Sequence, residues 1–383
     1  MKLAAALSVG AVIASGSYAQ TQGVTDTEVR IGSNTDLSGI FAAFGAPAVK
    51  AAQMYFDEVN ANGGVHGRQI KFIVEDHGYQ LPKATSALNK LVNRDQVFAM
   101  FLGVGTPMNI ASFPLLESKR IPNVFPLTMA RQIVEEPIDY RYSPGASYYD
   151  QIRTGVSYLV EEKGASNICA MFIPSDFGKE IQAGAMDEAA ALGLNYAAET
   201  THRPDDGDFV GALSKLKEAN CEIITMALGV RQTITAYVTA GKIGYTDVSF
   251  ISSAAGFHSV MAKVPGGGTE GLYAAAVWSD VLPRMGNPEV GAWVQSYLAA
   301  SGEQIPSTGA LLGRSGAEVM VRALEAAGPD LTPETFRAGM ESLDYFDEIL
   351  GGQMNYTPED HSGANEIVIS VIEDANWKEV FRK

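Results

Sequence analysis

The sequence predicts an α/β protein made of two successive Rossmann-like halves, each with a parallel-type sheet covered by helices. Three observations support this class. The chain has 383 residues, well above the ~150 residues of a typical domain. Hydrophobic residues make up 46% of it, which is sufficient for two cores. Strand-like and helix-like segments alternate along the chain, and the alternation restarts after residues 142–145.

The first half shows three strand patterns and three helix patterns in alternation. The strand patterns cover residues 29–32, 70–75 and 98–102, and the helix patterns cover residues 48–59, residues 82–92 and the segment after Pro107. The first of these helices ends at Asn62-Gly63-Gly64, because asparagine and glycine end helices. A βαβαβα order predicts a parallel sheet with helices on both faces.

The second half repeats this order and then adds surplus helices. Its predicted helices are residues 149–162, 179–192, 209–218 and 233–242, and its strands are residues 168–173, 194–199, 222–226, 248–251 and 271–277. Three more helical segments follow, at residues 288–300, 310–327 and 333–342, before a strand-like end at residues 366–372. The second sheet does not need these three helices, so we expect them to cover the first sheet.

The first nineteen residues have the pattern of a cleaved secretory signal peptide. Lys2 supplies a positive start, residues 3–14 are almost wholly small or apolar, and Ser17-Tyr18-Ala19 fits the small-x-small cleavage rule. The apolar run is shorter than the ~20 residues that span a bilayer. No cysteine follows the cleavage point, so a lipid anchor is not expected. The mature protein is expected free in a periplasm.

Charge and cysteine content exclude several classes of partner. The net charge of −16 disfavours nucleic acid and anionic membranes, and no basic patch is visible in the sequence. Two cysteines cannot form a disulfide framework or a Cys-type zinc site. Cys169 and Cys221 begin two strands that a doubly wound order places side by side. We expect two buried thiols there, with a disulfide as the alternative.

The sequence shows no constellation for catalysis or for metal binding. The five histidines lack metal-binding spacing, and we expect each to be a surface or loop residue; they are His66, His77, His202, His258 and His361. GxSxG and GxxxxGK[ST] motifs are absent from the sequence. The glycine-rich run Pro265-Gly266-Gly267-Gly268 follows a helix and not a strand, so we expect a helix-to-strand turn there and not a phosphate-binding loop. We therefore expect a binding protein without a metal or cofactor, and not an enzyme.

Ligands of doubly wound proteins lie beyond the carboxyl ends of the parallel strands. The loops at those ends are rich in glycine and hydroxyl residues in both halves, at residues 36–39, 103–106, 126–129, 174–178, 228–231 and 254–257. Backbone N–H groups at helix N-termini, together with Ser or Thr hydroxyls, can hold a carboxylate without a cationic side chain. The alternative is that these loops are ordinary turns between strands and helices.

Several motifs resemble one known family over essentially the whole mature chain. The most specific is the Asn-x-Gly-Gly-x-x-Gly-Arg run within residues 57–68. Supporting motifs are Arg30-Ile31-Gly32, Leu37-Ser38-Gly39, Phe44-Gly45, Phe177-Gly178 and Glu270-Gly271-Leu272. On these residues the chain resembles the leucine/isoleucine/valine-binding-protein branch of the type I periplasmic solute-binding proteins.

The resemblance implies two lobes joined by a three-strand hinge, with crossovers near residues 141–143, 276–279 and 354–357. The first lobe would comprise residues 26–142 plus 279–354, and the second residues 143–278 plus 355–383. Proteins of this family bind a small solute between the lobes and close over it in a Venus-flytrap motion. They deliver it to an ATP-driven importer in the inner membrane, so an ABC permease complex is the implied partner of a monomer.

The resemblance also suggests which first-lobe residues bind the solute. Gly105-Thr106 and Leu127-Thr128-Met129 match the segments that hold a ligand carboxylate, and the Thr106 and Thr128 hydroxyls are the expected donors. Phe44 and Phe177 match positions that are tyrosine in many amino-acid binders. We expect them to form apolar walls of the cleft, with core packing as the alternative.

The second lobe departs from the pattern of amino-acid binders. Gly229 and Ala255 stand where those proteins place an aromatic hydroxyl and an acidic residue around the ligand's ammonium. A buried ammonium without such partners costs on the order of several kcal/mol. Arg231 could complement a second polar group or be a solvated residue at a helix start. We therefore expect an aromatic or branched aliphatic carboxylate without an α-amino group; a branched-chain amino acid binder and a ligand-sensing module are the alternatives.

Overall fold

The computed structural model describes residues 21–135 and 139–383. The predicted signal peptide at residues 1–19 lies outside these described residues. Within them the chain forms two lobes, built on a six-stranded and a seven-stranded sheet, and one two-stranded hairpin. No helix in the described segments is both long and apolar enough to cross a membrane.

The elements alternate along both halves as the sequence predicts. The strands are β1 (Glu28–Thr35), β2 (Gln69–Asp76), β3 (Ala99–Phe101), β4 (Asn123–Val124), β5 (Arg141–Gly145), β6 (Asn167–Phe172), β7 (Asn195–Thr201), β8 (Ile223–Ala227), β9 (Ser249–Ser252), β10 (Tyr273–Ala276), β11 (Asp344–Asp347), β12 (Gly352–Asn355), β13 (Ser362–Ala364), β14 (Val368–Glu373) and β15 (Asn376–Arg382). The helices are α1 (Ala42–Ala61), α2 (Leu81–Asn89), α3 (Thr106–Lys119), α4 (Tyr148–Lys163), α5 (Asp176–Ala191), α6 (Val210–Glu218), α7 (Val230–Lys242), α8 (Ser259–Ala262), α9 (Pro288–Ser301), α10 (Thr308–Ala327) and α11 (Pro333–Met340).

Both sheets have the doubly wound order that the sequence predicts. The first sheet runs β13-β5-β4-β3-β1-β2 and all its strand pairs are parallel. The second sheet runs β15-β14-β10-β9-β8-β6-β7, with parallel pairs from β10 to β7 and antiparallel pairs at β14 and β15. The carboxyl ends of the parallel strands in each sheet therefore form one edge, where a ligand site is expected.

The surplus helices pack on the first lobe, as predicted. α10 lies so close to α1 that a Cβ on Gly313 would be 2.1 Å from the Ala48 carbonyl oxygen. Tyr297 of α9 joins Ala51 of α1 in a buried cluster. Glycine and alanine at these contacts allow the helix backbones to approach closely, so the long C-terminal segment covers the first sheet.

A short strand lies beside a predicted connection between the lobes. β5 pairs with β4 through Arg141 and Tyr142 and with β13 through Ser143 and Gly145, so it spans the predicted crossover near residues 141–143. β13 itself was not predicted, because a three-residue strand is too short to give a sequence pattern. The hairpin of β11 and β12 and the last strand, β15, were likewise not predicted.

α1 begins six residues before its predicted start and contains Pro47. Proline has no N–H group, so it cannot donate to the carbonyl of Ala43 four residues earlier. That oxygen instead accepts a hydrogen bond from Nε2 of His258, in the second lobe, at 3.1 Å. The Val260 N–H donates to Nδ1 of the same ring, which identifies Nε2 as the protonated nitrogen. The irregular helix start thus supplies a contact between the lobes.

The two cysteines form a disulfide, so the expectation of two buried thiols is wrong. The predicted neighbouring of β6 and β8 is confirmed. It brings the Cα atoms of Cys169 and Cys221 to 5.8 Å, within the usual range for a disulfide. The oxidised alternative, which the sequence left open, is the one present.

All five histidines lie in loops, as predicted, but four of them are buried and not at the surface: His77, His202, His258 and His361. Ring nitrogens of His77 and His361 bond to backbone oxygens, which satisfies these polar groups without water. The described residues contain no group of three or more His, Cys, Asp or Glu side chains that could hold a metal ion.

Asp347, at the end of β11, is an almost fully buried acid. Its Oδ1 accepts hydrogen bonds from the Ile349 and Leu350 N–H groups at 2.8 and 2.9 Å. Burial, and then the nearby negative charge of Glu318, raise the pKa of this carboxyl to about 6. The folded protein therefore holds the proton more tightly than the unfolded chain does.

Substituting Asp347→Asn is expected to stabilise the protein at pH 8 and to change its stability little at pH 4. The carboxyl pKa is higher in the folded state, so wild-type stability falls as the pH rises from about 4 to about 6. Asparagine keeps the accepting oxygen and removes the charge, which corresponds to about 1–3 kcal/mol at pH 8. Thermal unfolding of both proteins at the two pH values measures this difference. An equal change in Tm at both pH values would contradict the assignment.

Candidate functional site

A cavity lies between the lobes, at the carboxyl-end edges of both sheets. It comprises about 470 Å³ of space between protein atoms, including its solvent-open mouth. Loops that follow β3 and β4 line it from the first lobe, and the starts of α4 and α5 and the loop after β9 line it from the second. The crevice thus lies where the strand order predicts it.

The polar part of the lining is a pair of threonine hydroxyls. Oγ1 of Thr106 and Oγ1 of Thr128 are 2.6 Å apart and both residues are buried. Thr106 is the first residue of α3, whose preceding residue, Gly105, provides no side-chain cap. The N-terminal N–H groups and the helix dipole of α3 therefore favour a negatively charged group at this point.

Gly105 has a backbone conformation that suits glycine. Its φ is 101°, and a Cβ would lie 2.8 Å from Sδ of Met108 and 3.0 Å from Cε2 of Tyr79. A side chain at this position would therefore be strained and would crowd the ring of Tyr79. The glycine keeps the start of α3 accessible from the cavity.

Aromatic rings form most of the remaining wall: Phe41, Phe44, Tyr79, Tyr148, Phe177 and Trp278. Phe41 of the first lobe contacts Phe177 of the second edge-to-face, with ring centroids 5.6 Å apart. Tyr148 contacts the same Phe177 ring at 5.6 Å. These rings give flat apolar surfaces on both sides of the crevice.

No charged side chain lines the cavity within the part of the chain that the structure describes. Asp36 precedes the lining residue Phe41 by five positions, but both of its carboxylate oxygens already accept hydrogen bonds from the backbone. Its Oδ1 accepts from the Gly39 N–H at 2.6 Å and its Oδ2 from the Phe41 N–H at 2.9 Å. Asp36 therefore shapes the loop that presents Phe41.

Two phenols also face the cavity. Burial raises the pKa of Tyr148 to about 12, and hydrogen bonding to the Thr128 side chain and the Met129 backbone opposes that rise. Burial also raises the pKa of Tyr79, and the neighbouring Tyr148 phenol adds to the effect. Both phenols are therefore neutral, so they offer hydrogen bonds and no charge.

The structure brings together eight of the ten predicted site residues. Those lining the cavity are Phe44, Gly105, Thr106, Leu127, Thr128, Met129, Phe177 and Ala255. Gly229 and Arg231 are not part of the lining. Gly229 lies at a contact between the lobes, where a Cβ would be 3.4 Å from the Ile40 carbonyl oxygen. The Arg231 side chain is exposed to solvent.

Four aromatic lining residues were missed from the sequence. Phe41 and Tyr79 follow β1 and β2, so the rule of carboxyl strand ends could have found them. Tyr148 is the first residue of α4, and Trp278 lies on a connection between the lobes; no local motif marks either position. Gly229 and Ala255, at the second-lobe positions where amino-acid binders place an aromatic hydroxyl and an acid, carry no phenol. The phenols that line this cavity belong instead to Tyr79 and Tyr148.

The comparison with known proteins identifies the family. The family model described as "Periplasmic binding protein" matches residues 28–376. The chain therefore belongs to the family of periplasmic binding proteins, which are solute-binding proteins that work with ABC permeases. The family implies a periplasmic location and a small-molecule ligand, and its members are not enzymes.

One curated relative and two solved structures illustrate what the chain is similar to. "Leu/Ile/Val-binding protein homolog 8" of Brucella suis is 21% identical over 343 residues, covering 87% of this chain and 84% of the relative. A fatty acid ABC transporter substrate-binding protein from Thermomonospora curvata is 26% identical, with a TM-score of 0.85 and coverage of 94% and 93%. A solute-binding protein from R. palustris in complex with benzoate is 16% identical, with a TM-score of 0.82 and coverage of 93% and 96%.

Proposed function

We propose that the protein is the solute-binding component of an ABC importer and that it captures a small carboxylate in the cavity between its lobes. The solute has an aromatic or branched aliphatic body. The observation that carries this proposal is the composition of the cavity wall: one hydroxyl pair at a helix N-terminus, six aromatic rings and no charged side chain among the described residues.

Each part of the wall suits one part of such a solute. The Thr106 and Thr128 hydroxyls and the start of α3 bind the carboxylate, because they supply donors and the positive end of a helix dipole. The aromatic rings bind the apolar body and remove it from water. A solute that contacts both lobes then stabilises their closed arrangement. The protein is exported through its cleaved signal peptide and acts as a monomer.

An α-amino group fits this cavity less well. A buried ammonium needs a carboxylate or several oxygen acceptors, and the lining contains no acidic residue. The Tyr79 and Tyr148 hydroxyls could accept from an ammonium, together with backbone carbonyls. That arrangement is the alternative function, a branched-chain amino acid binder, which the names of the Leu/Ile/Val-binding relatives favour. The fatty-acid name of the 26%-identical relative favours a carboxylate without an amine.

A thermal-shift panel tests the proposal. Benzoate and 4-methyl-2-oxopentanoate are expected to raise Tm, and benzamide, which has the same shape as benzoate without the charge, is expected not to. A ligand at 100 times its Kd stabilises the folded state by about 2.7 kcal/mol, which gives a shift of several degrees. Strong stabilisation by leucine or valine, with no effect of the two acids, would contradict the proposed solute class and support the alternative.

A further inference from the structure

An ion pair with a buried carboxylate and a partly exposed guanidinium connects the two lobes outside the cavity. Arg131 lies in the short turn of helix after β4, in the first lobe, and Glu180 lies in the second turn of α5, in the second lobe. Nε of Arg131 donates to both Glu180 oxygens at 3.2 Å, and Nη2 donates to Oε1 at 3.1 Å. The Arg131 backbone N–H donates to Oε2 at 3.1 Å. One carboxylate thus accepts four hydrogen bonds from one residue of the opposite lobe.

The surroundings of the pair hold it in this geometry. The Glu180 side chain is only 3% exposed, against 38% for Arg131. The guanidinium of Arg131 lies 3.7 Å from the centroid of the Tyr149 ring, which belongs to the second lobe. A charge-assisted pair with several hydrogen bonds to a buried carboxylate is stronger than a pair in which both partners are exposed. Opening of the lobes would separate Arg131 from both of its second-lobe partners.

We propose that the Arg131–Glu180 pair, here named the latch, stabilises the closed arrangement of the lobes whatever solute occupies the cavity. Neither residue lines the cavity, so the latch contributes nothing to the choice of solute. The inference rests on the proposed function to the extent that binding requires closure. The apparent Kd equals the intrinsic Kd divided by the closed fraction, so loss of the latch weakens every solute by one common factor.

The variants Glu180→Gln and Arg131→Gln test the latch: the first keeps the size of the side chain and removes its charge, and the second replaces the guanidinium with a shorter neutral polar group. Arg153→Gln is the matched control: Arg153 of α4 donates to Glu188 of α5 at 2.6 Å, so its Arg–Glu pair uses the same helix α5 but lies within the second lobe. The double variant Arg131→Gln/Glu180→Gln completes a cycle that isolates the coupling between the two residues. Circular dichroism first establishes that each variant is folded.

The latch variants are expected to have a larger radius of gyration than wild type in X-ray scattering without solute, and the control is not. Their Kd for benzoate and for 4-methyl-2-oxopentanoate is expected to rise about tenfold for both acids alike, mainly through faster dissociation. The Kd of the double variant for each acid is expected to be no higher than that of either single variant, because each single change already breaks the pair.

Two results would overturn the proposal. One is an unchanged radius of gyration in both latch variants; the other is a loss of affinity that differs between the two acids, because that would indicate contact with the solute. The scattering experiment needs no solute, so it shows whether the latch stabilises the closed arrangement even if neither acid binds. Failure of the proposed function and failure of the latch are therefore distinguishable.

Discussion

Replacing Thr106 and Thr128 together with alanine is expected to weaken benzoate binding strongly while the protein remains folded. Each hydroxyl lost removes a hydrogen bond to a charged group, at about 1–3 kcal/mol apiece. Every 1.4 kcal/mol corresponds to about tenfold in Kd. The two hydroxyls are adjacent, at 2.6 Å, and buried, so water cannot readily replace them. Isothermal titration calorimetry of both proteins with benzoate measures the loss.

The variant Thr106→Ser/Thr128→Ser is the control for this experiment. It keeps both hydroxyls and removes only two methyl groups, so its affinity is expected to lie close to that of wild type. If the alanine variant binds benzoate as tightly as wild type does, the two threonines do not hold the carboxylate. If the serine variant loses as much affinity as the alanine variant, the methyl groups and not the hydroxyls make the contact.

Removing the disulfide is expected to produce the largest loss of stability. Cys169 and Cys221 are separated by 52 positions in the chain, and closing a loop of that length restricts the unfolded chain by about 4 kcal/mol in the loop-entropy model. The variant Cys169→Ser/Cys221→Ser should therefore unfold at a markedly lower urea concentration. Both sulfurs lie in residues that are almost fully buried, so the serine hydroxyls also lose hydration there.

Urea unfolding of the wild-type protein with and without dithiothreitol is the internal control. The reduced wild type is expected to approach the stability of the double serine variant, since both lack the cross-link. A double serine variant with the same urea midpoint as the oxidised wild type would contradict this prediction. Benzoate binding measured in parallel establishes whether the folded state of the variant is intact.

The sequence predicted most of the fold because its long elements carry their own pattern. The alternation of strands and helices, the neighbouring of β6 and β8 and the packing of α9 and α10 on the first lobe were all derived correctly. The short strands were missed because their pairing partners are distant in sequence. β13 has three residues and pairs with β5, more than two hundred positions earlier, so no local pattern could reveal it.

The site was predictable where residues follow a strand end and not elsewhere. Thr106 and Thr128 lie a few residues after the ends of β3 and β4, and their hydroxyl type already indicated a carboxylate. Tyr148 reaches the cavity from the start of α4, and Trp278 reaches it from a connection between the lobes; the position of each depends on the tertiary structure. Arg231 is exposed, which agrees with the alternative of a solvated residue at a helix start. The sequence could not decide between the two, because the direction of a side chain at a helix start depends on the rotation of that helix.

The hydrogen bond from His258 to Ala43 has a consequence for a carrier that works outside the cytoplasm. Burial lowers the pKa of the His258 imidazole to about 4. The ring therefore keeps one N–H donor and one acceptor from mildly acidic to mildly alkaline surroundings. The pH of a bacterial envelope follows that of the medium, and the hydrogen bond from His258 to Ala43 between the lobes does not respond to such changes. Burial of the His258 ring thus makes this contact between the lobes insensitive to mild acid in the environment.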